Sequence, residues 1–329
     1  MHAPGIPKMD ATALEVLLSA ATAAPSIHNT QPWRFRLDPV TRLLEVRAVP
    51  QKSLSRTDPE FRAQYLSVGA ALFNLRVAAD HLGLDAMVRL RPDPSDPGLL
   101  AALWPCGRSD SPDLPTEQWR QLDLYEAIAR RHTSRMPFTG RPVPEPIVAQ
   151  MVEAARLEAA KLRVPDFAGT RRLLQLTAAG EARNHSDVGR AAEARAWITA
   201  PEGGPYGIPV TALGPQDAAG RMPVRDFIGT QRSRSLPRLR FERHAQVALL
   251  CTVRDRRVDW LRAGQALQRV LLVATAHGLR TSMLHQALEW PDLRWAMRNG
   301  QERRCSPQLL IRFGYGPEGG RTPRAPAQP

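Results

Sequence analysis

The sequence predicts an α+β fold built from two tandem copies of one helix-and-strand unit. When residue 66 is aligned with residue 261 without gaps, Leu-x-x-Gly-x-x-Leu at 66–72 falls on the same pattern at 261–267. The agreement continues to the ends of both segments, where Ala79, Gly83 and Leu84 fall on Ala274, Gly278 and Leu279. Both segments have the apolar spacing of a helix, and a glycine closes each one as a left-handed cap. Gapless agreement at both ends is typical of an internal duplication.

The remaining elements follow from local patterns in the chain. A first helix has its apolar residues between Leu14 and Ala21 and stops before Pro25, because proline disfavours the helical state of the preceding residue. A further helix is expected from Glu145 onward. Each repeated helix is flanked by strand-like runs on both sides. These predicted strands are Leu43–Val49 and Ala86–Leu90 in the first copy, and Gln246–Val253 and Gln308–Phe313 in the second.

Composition indicates a globular protein that is not built to bind nucleic acid. The chain has 329 residues, of which 43% are hydrophobic and 23% charged, so it can bury a sizeable core. The net charge of +13 comes mostly from scattered arginines. The densest basic segment, Gln231–His244, is interrupted by Pro237 and lacks the interleaved aromatic residues of a single-strand binder. We therefore expect no nucleic-acid partner.

The cysteines and the apolar runs predict neither a metal site nor a membrane span. Cys106, Cys251 and Cys305 are far apart and show no Cys-x-x-Cys spacing, so we expect buried reduced thiols and no bound metal. The longest apolar run, Val270–Ala276, is too short to cross a bilayer. We expect no membrane partner and a cytoplasmic location.

The most specific stretch of the chain is residues 24–35, which read Ala-Pro-Ser-Ile-His-Asn-Thr-Gln-Pro-Trp-Arg-Phe. It places five hydrogen-bonding side chains between a helix end and an apolar anchor. These side chains belong to Ser26, His28, Asn29, Thr30 and Gln31. Any one of them would fit a turn former or a helix cap. Together they suit the binding of a planar polar ligand.

This stretch resembles the Ala-Pro-Ser-x-x-Asn-x-Gln-Pro-Trp signature of the nitroreductase superfamily. The resemblance implies FMN as the cofactor, with the turn lying against the isoalloxazine ring. In the family the turn reaches the flavin from the other subunit of a dimer. The residues to which this ring-binding role is carried over are Pro25, Ser26, His28, Asn29 and Gln31.

A second segment, Arg130–Arg135 followed by Phe138, resembles the other flavin signature of the superfamily, Arg-[Arg/His]-[Ser/Thr]-x-[Arg/Lys] followed by Phe. That signature binds the FMN phosphate and ribityl chain. The resemblance assigns this role to Arg131, His132, Thr133 and Arg135. Guanidinium groups and hydroxyls suit a phosphate because they donate strong, charge-assisted hydrogen bonds. An arginine cluster is also a common feature of a solvated surface.

Two further segments complete the expected site. Gly278–Gln286 resembles the family segment that passes beside flavin N5, which assigns Met283, Leu284 and His285 to that wall. Met283 and His285 depart from the usual residues, and His285 also fits a structural turn. The tail after Phe313 resembles the final strand of the family with its phosphate-closing basic residue, for which we favour Arg324 over Arg321.

The two main signatures are divided between the two copies. The ring-binding turn occurs only in the first copy and the arginine motif only in the second. Because superfamily members are dimers of one such unit, the resemblance implies a nitroreductase-like fold with two tandem halves packed as an intramolecular pseudo-dimer that holds one flavin site. We expect the halves at residues 1–115 and 116–329, with the boundary in Ser109–Pro115 and the second half opening with a helix at Thr116–Arg131.

The resemblance also suggests a reductase function and, as an alternative, a storage function. A flavin would supply the redox chemistry, so we expect NAD(P)H-dependent reduction of nitro or quinone compounds through N5, and no side chain acting as a catalytic acid or base. A Gly-, Pro- and Arg-rich insertion at about 201–243 predicts a lid. This arrangement resembles the dormancy-associated Acg subgroup, in which a lid closes over FMN. The alternative is an FMN-sequestering or storage protein with little or no reductase activity. The sequence leaves open whether the chain is a monomer or forms a further homodimer.

Overall fold

A computed structural model describes residues 10–41, 43–106, 122–199, 203–227, 236–298 and 305–326. The helices are α1 (Ala11–Thr22), α2 (Arg62–His81), α3 (Leu124–Arg130), α4 (Glu145–Leu157), α5 (Phe167–Ser186), α6 (Val188–Ala196), α7 (Arg257–Ala276) and α8 (Pro291–Ala296). The strands are β1 (Trp33–Leu37), β2 (Leu44–Ala48), β3 (Asp85–Leu90), β4 (Leu99–Cys106), β5 (Lys161–Arg163), β6 (Ile198–Thr199), β7 (Ile208–Pro209), β8 (Gln216–Asp217), β9 (Arg238–Leu239), β10 (Gln246–Thr252), β11 (Arg280–Leu284) and β12 (Ser306–Gly314).

The two main sheets have the same strand order. The first sheet is β1-β2-β4-β3 and the second is β5-β10-β12-β11, and every neighbouring pair is antiparallel. In each sheet the strand before the repeated helix (β2 or β10) takes the second position, and the strand directly after that helix (β3 or β11) lies at the edge. The predicted α+β class is confirmed, and the duplication extends from the helices to both sheets.

One predicted correspondence within the repeat is wrong. The counterpart of Ala86–Leu90 is β11, which follows α7 directly, whereas Gln308–Phe313 lies in β12 and corresponds to β4. The sequence Arg-Thr-Ser-Met-Leu of β11 contains neighbouring polar residues, so it lacks a strand-like pattern. It is extended because it pairs with β12 along its whole length, from Arg280 opposite Gly314 to Leu284 opposite Leu310.

The repeated helices α2 and α7 cross at the glycines that the alignment pairs. A Cβ atom added to Gly69 would lie 2.2 Å from the carbonyl oxygen of Leu261, and one added to Gly264 would lie 2.1 Å from the carbonyl oxygen of Leu66. Since Leu66 is aligned with Leu261 and Gly69 with Gly264, the contact is reciprocal: each helix offers the same surface to the other. Such reciprocity is the property of an isologous interface.

The expectation of reduced thiols is wrong for two of the three cysteines. Cys251 and Cys305 form a disulfide, with their Cα atoms 5.3 Å apart, and both residues are fully buried. They are separated by 54 residues in the sequence. The antiparallel pairing of β10 with β12 brings them together, because Cys251 lies in β10 and Cys305 immediately precedes β12.

A long connection distinguishes the second sheet from the first. Strands β1 and β2 are joined by residues 38–43, whereas β5 and β10 are joined by residues 164–245, which include α5, α6 and the two-residue strands β6 to β9. The predicted lid at 201–243 forms the later part of this connection. We call the described residues 203–227 the covering segment.

Other expectations concern regions that the structure covers only in part. The proposed boundary Ser109–Pro115 lies outside the described residues. Of the helix expected at Thr116–Arg131, the described portion forms α3, which Asp123 caps by accepting a hydrogen bond from the amide of Glu126. Within the described ranges, we find no helix that is both long and apolar enough to span a membrane.

Candidate functional site

A cavity of about 110 Å³ lies where elements of both copies meet. Its walls come from the turn after α1, from α2, from the segment after α3, from β11 and the turn that follows it, and from the covering segment. Eight of the predicted site residues line it: Pro25, Ser26, His28, Thr133, Arg135, Met283, Leu284 and His285. The structure thus brings the three predicted motifs to one place, although the role of each residue stays a prediction.

The turn after α1 has a strained backbone held by local contacts. Helix α1 ends at Thr22, and a 3-10 turn follows at Ile27–Asn29. His28, Asn29 and Gln31 have φ values of 48°, 55° and 49°, in the left-handed region that non-glycine residues rarely adopt. The Oγ of Ser26 accepts a hydrogen bond of 2.9 Å from the amide of Gln31 and closes the turn. Strain of this kind persists where surrounding contacts hold it, and it clusters at ligand sites.

The side-chain amides of this turn bind protein rather than line the cavity. Asn29 donates from Nδ2 to the carbonyl oxygen of Gly207 at 2.8 Å, and its Oδ1 accepts from Arg324 at 2.7 Å. Gln31 donates from Nε2 to the carbonyl oxygen of Pro205 at 2.6 Å, and its Oε1 accepts from the amide of Ala325 at 2.9 Å. The two predicted ring-binding residues therefore fasten the covering segment and the C-terminal tail to the first copy.

Three arginines of the predicted phosphate site carry uncompensated charge. Among the described residues, Arg131, Arg135 and Arg324 make no ion pair with a carboxylate. The Nε and Nη1 atoms of Arg131 and the Nε atom of Arg324 are buried without a hydrogen-bond partner. Burial, helped by the charge of Arg324, lowers the pKa of Arg131 to about 9, and burial lowers the pKa of Arg135 and of Arg324 to about 10. All three stay protonated at neutral pH, so the site favours an anion.

The arginine segment is fixed to the wall of the cavity. Thr133 forms a parallel bridge with Thr281 of β11, which orients the segment along that strand. Arg135 donates to the carbonyl oxygen of Ala212 at 2.8 Å, so it also contacts the covering segment. At Gly214, where φ is +74°, an added Cβ would lie 2.6 Å from the Cβ of Arg135, so only glycine permits this approach.

Two other basic residues lie outside the cavity wall. The ring nitrogens of His132 contact the carbonyl oxygens of Arg130 at 3.1 Å and Glu318 at 2.5 Å. Arg321 is exposed and pairs with Glu318 at 3.3 Å, whereas Arg324 is partly buried against Asn29. Arg131 and Arg324 also lie outside the cavity lining, and the preference for Arg324 over Arg321 stays a prediction.

A buried ionic network lies behind the cavity. His285 contacts Glu289 through Nδ1 at 3.0 Å and Arg62 through Nε2 at 3.3 Å. Arg225 of the covering segment forms an ion pair with the same Glu289, and its Nη1 lies 2.7 Å from Nε2 of His28. Burial by itself would raise the pKa of Glu289, yet the charge of Arg225 and the hydrogen bond from His285 lower it to about 2. The carboxylate is therefore ionised and links the covering segment to the cavity wall.

The covering segment narrows the cavity. Ile208, Val224, Arg225 and Phe227 form part of its lining, and the Phe227 ring meets the His28 ring edge-on at 5.2 Å. A volume of about 110 Å³ is well below the roughly 300–1,000 Å³ of a typical ligand pocket. The covering segment therefore forms one side of the cavity.

Sequence reasoning missed three residues of the site. Arg225 and Phe227 were assigned only to an insertion, and Glu289 was not singled out. The His-x-x-x-Glu spacing of His285 and Glu289 places them on the same side of a helical turn, and this was the one local signal for the buried pair. For Arg225 and Phe227 the sequence carries no such signal, because their partners are distant in the chain.

Comparison with known proteins identifies the family. The family model described as Nitroreductase family matches residues 128–294. A Mycobacterium tuberculosis protein named as a candidate NAD(P)H nitroreductase is 34% identical over 309 residues, covering 94% of this chain and 86% of that protein. The chain belongs to the nitroreductase family. Another M. tuberculosis protein, the candidate NAD(P)H nitroreductase acg, is 30% identical over 306 residues. The match covers 91% of this chain and 87% of the length of acg.

Solved nitroreductase structures are similar to this chain at a lower level. The FMN-dependent nitroreductase NfnB from Mycobacterium smegmatis, in complex with NADPH, is 19% identical and covers 62% of this chain and 96% of its own, with a TM-score of 0.38. A candidate nitroreductase from Anabaena variabilis is 11% identical and covers 93% of this chain and 88% of its own, with a TM-score of 0.49.

Proposed function

We propose that this nitroreductase-family chain is an FMN-binding flavoprotein that uses NAD(P)H to reduce nitro or quinone compounds. The observation that carries the proposal is a set of three uncompensated arginines, of which Arg135 lines the cavity built by both copies, while Arg131 and Arg324 lie near the end of α1 at Ala23. A phosphate monoester carries close to two negative charges at neutral pH and offers several oxygen acceptors. It would neutralise Arg131 and Arg324 and satisfy their buried, unpartnered N–H groups.

The residues present fit the parts of FMN. Arg131, Arg324 and Arg135, with the hydroxyl of Thr133, would hold the phosphate end. Ser26 on one side and the Met283–His285 wall on the other would hold the ring. When bound, FMN supplies hydride chemistry. The chain's own contribution is to bind and orient the ligands and to exclude water, because the described lining is mostly apolar and contains no carboxylate.

We propose further that the two copies are halves of an intramolecular pseudo-dimer, at residues 1–115 and 116–329. The identical strand order of the two sheets supports this arrangement, as does the reciprocal contact of Gly69 with Gly264. The division of motifs supports it as well, since the turn of the first copy and the arginine segment of the second face one cavity. A single flavin site per chain follows from it.

The hydride donor and the acceptors are inferred from the relatives and from the lining. The relative that is 34% identical is named for NAD(P)H, which supports a pyridine nucleotide as donor. Arg135, which makes no ion pair among the described residues, places positive charge at the cavity. Such charge favours acceptors whose oxygens become more negative on reduction, as those of nitro groups and quinones do.

A second candidate function is sequestration or storage of FMN with little or no reductase activity. The position of the covering segment favours it, because this segment already forms one side of the cavity. Three contacts hold that segment in place. Its Gly207 accepts a hydrogen bond from Asn29, its Pro205 accepts one from Gln31, and its Arg225 forms an ion pair with Glu289. A segment held at three points opens slowly if these contacts act together.

The visible spectrum of freshly purified protein tests both functions. We expect a flavin spectrum that survives dialysis. Addition of NADPH without oxygen should bleach it, and a quinone should then restore it. A stable flavin that NADPH does not bleach would favour storage over reduction. A protein without a chromophore, even after incubation with excess FMN, would contradict both.

A double substitution tests the phosphate assignment. We expect Arg131→Ala with Arg135→Ala to purify colourless, because each lost charge-assisted hydrogen bond costs about 1.5–3 kcal/mol, and two would weaken binding by at least about 100-fold. The matched control is Arg321→Ala, which removes an exposed arginine paired with Glu318 and should leave the colour unchanged. Full colour in the double variant would refute the assignment.

A further inference from the structure

We propose that His28 is a specificity residue that donates a hydrogen bond from Nδ1 to an oxygen of the electron-accepting substrate. This role rests on the proposed reductase function and deepens it. It concerns the second ligand of the site, a nitro or quinone compound, rather than the flavin. Two histidines, His28 and His285, lie in the cavity wall, and their hydrogen bonds differ.

The contact with Arg225 fixes the tautomer of His28. The Nη1 atom of Arg225 lies 2.7 Å from Nε2 of the imidazole. A guanidinium group can only donate, so Nε2 must be the acceptor. A neutral imidazole has one acceptor and one donor nitrogen, which places the proton of His28 on Nδ1. Burial and the charge of Arg225 lower the pKa of His28 well below its ordinary value, so the ring stays neutral.

The Nδ1–H group of His28 is a donor that the protein leaves unused. Nδ1 is buried and has no hydrogen-bond partner among the described residues. A buried donor without a partner costs about 1–3 kcal/mol, so a ligand that supplies an acceptor gains by binding there. The residue lines the cavity, where such a ligand would sit.

His285 shows that this is not a general property of the cavity histidines. Arg62 donates to its Nε2 at 3.3 Å, which likewise places the proton on Nδ1. That Nδ1–H donates to the carboxylate of Glu289 at 3.0 Å. Both nitrogens of His285 are therefore engaged, and it has no donor to offer a ligand.

The neighbours of His28 favour the substrate over the cofactor as the recipient. Its ring contacts two residues of the covering segment, Arg225 by a hydrogen bond and Phe227 edge-on at 5.2 Å. The imidazole therefore belongs to the side of the cavity that the covering segment forms. Arg135 also lines the cavity, and its positive charge would stabilise negative charge that develops on a substrate oxygen.

The side chain of His28 has two roles, donation from Nδ1 and the contact of Nε2 with Arg225. Two substitutions distinguish these roles, because each keeps a polar group at the position of only one of the two nitrogens. His28→Asn places an amide nitrogen at the bond distance of Nδ1 and suits the left-handed backbone, since φ is 48°. His28→Gln places its amide at the distance of Nε2, and the φ of 49° at Gln31 shows that glutamine is accommodated in this turn. Asparagine keeps the proposed donor, whereas glutamine keeps only the contact with Arg225.

The two half-reactions are measured separately by stopped flow. We expect the two variants to retain flavin to the same extent as each other and to be reduced by NADPH at equal rates. With a quinone or nitroaromatic acceptor, His28→Gln should show a KM about 10-fold above that of His28→Asn, which corresponds to about 1.4 kcal/mol. Ferricyanide, which accepts single electrons and needs no such hydrogen bond, should reoxidise both variants equally.

Three results would overturn the inference. The first is equal reactivity of the two variants with quinone and nitro acceptors. The second is a slower NADPH step or loss of flavin in His28→Gln, which would place the hydrogen bond on the cofactor. The third is a loss of ferricyanide reactivity that matches the loss with quinone, which would indicate a general structural effect. Failure of the unsubstituted protein to be bleached by NADPH would instead overturn the proposed function itself.

Discussion

Gly264→Ala tests the crossing of α2 and α7, on which the position of the cavity depends. The new Cβ would lie 2.1 Å from the carbonyl oxygen of Leu66 and 2.8 Å from the Cα of Gly69, whereas ordinary contacts begin at 3.4 Å. Both obstacles are backbone atoms, so no side-chain rotation can relieve the clash. The two helices must therefore separate by roughly 1 Å.

The cost follows from the leucines that flank the crossing. Leu66, Leu72, Leu261 and Leu267 are buried, and each lies three residues from one of the glycines, on the same helix face. If each has about ten contacts across the crossing at about 0.15 kcal/mol, a 1 Å gap that forfeits a quarter to a half of this energy removes roughly 1.5–3 kcal/mol in all. The better helix propensity of alanine returns about 1 kcal/mol. The net loss is about 0.5–2 kcal/mol, at the lower end of the range for overpacking.

Urea unfolding and thermal melts measure this loss. We expect Gly264→Ala to lower the melting temperature by about 2–3 °C in a chain of this size. Gly69→Ala should cost a similar amount, because its Cβ would lie 2.2 Å from the carbonyl oxygen of Leu261. The control is Gly189→Ala in α6, where the nearest atoms are side-chain ends at 3.3 Å or more, and stability should not fall. If both crossing variants were as stable as this control, the close reciprocal contact would be refuted.

Two further predictions concern the buried network and the cysteines. Arg225→Met should destabilise the protein at pH 7 by up to about 3–5 kcal/mol, because the buried Glu289 loses its short ion pair and keeps only the longer contact of 3.7 Å with Arg190. The pKa of this carboxyl is about 2 in the folded chain and 4.5 ordinarily, so its stabilising effect is present above pH 4.5 and is lost toward pH 2. The deficit of the variant in urea unfolding should therefore shrink as the pH falls through that window, and an equal deficit at pH 7 and pH 3 would rule this out. Peptide mapping without reductant should yield a linked Cys251–Cys305 pair, and free thiols at both positions would contradict the disulfide.

Local patterns in the sequence predicted most of the regular structure. The repeat located α2 and α7, and alternating or β-branched runs located β2, β3, β10 and β12. These elements depend on residues close to each other in the chain. Strand β11 was not predicted, because its extended conformation depends on pairing with β12 rather than on its own apolar pattern.

Residues that act through distant partners were harder to predict. The sequence placed Asn29 and Gln31 in a ligand-binding turn, yet their amides bond to segments 174 to 295 positions away. The Cys251–Cys305 pair likewise depends on the alignment of two strands. Motif spacing identified the elements that surround the cavity, but it could not tell which polar groups are already satisfied by the rest of the chain.

The meeting of Gly69 with Gly264 has an evolutionary consequence. In an assembly of identical subunits, any mutation near the symmetry axis appears on both sides at once, so every change is made twice. Here the two sides of the contact are different positions of one chain, so each can change independently of the other. Outside the crossing the two repeated segments differ at most positions, and each flavin-type motif occurs in only one of the two copies. At the crossing both positions are glycine, because a side chain on either helix would strike the backbone of the other.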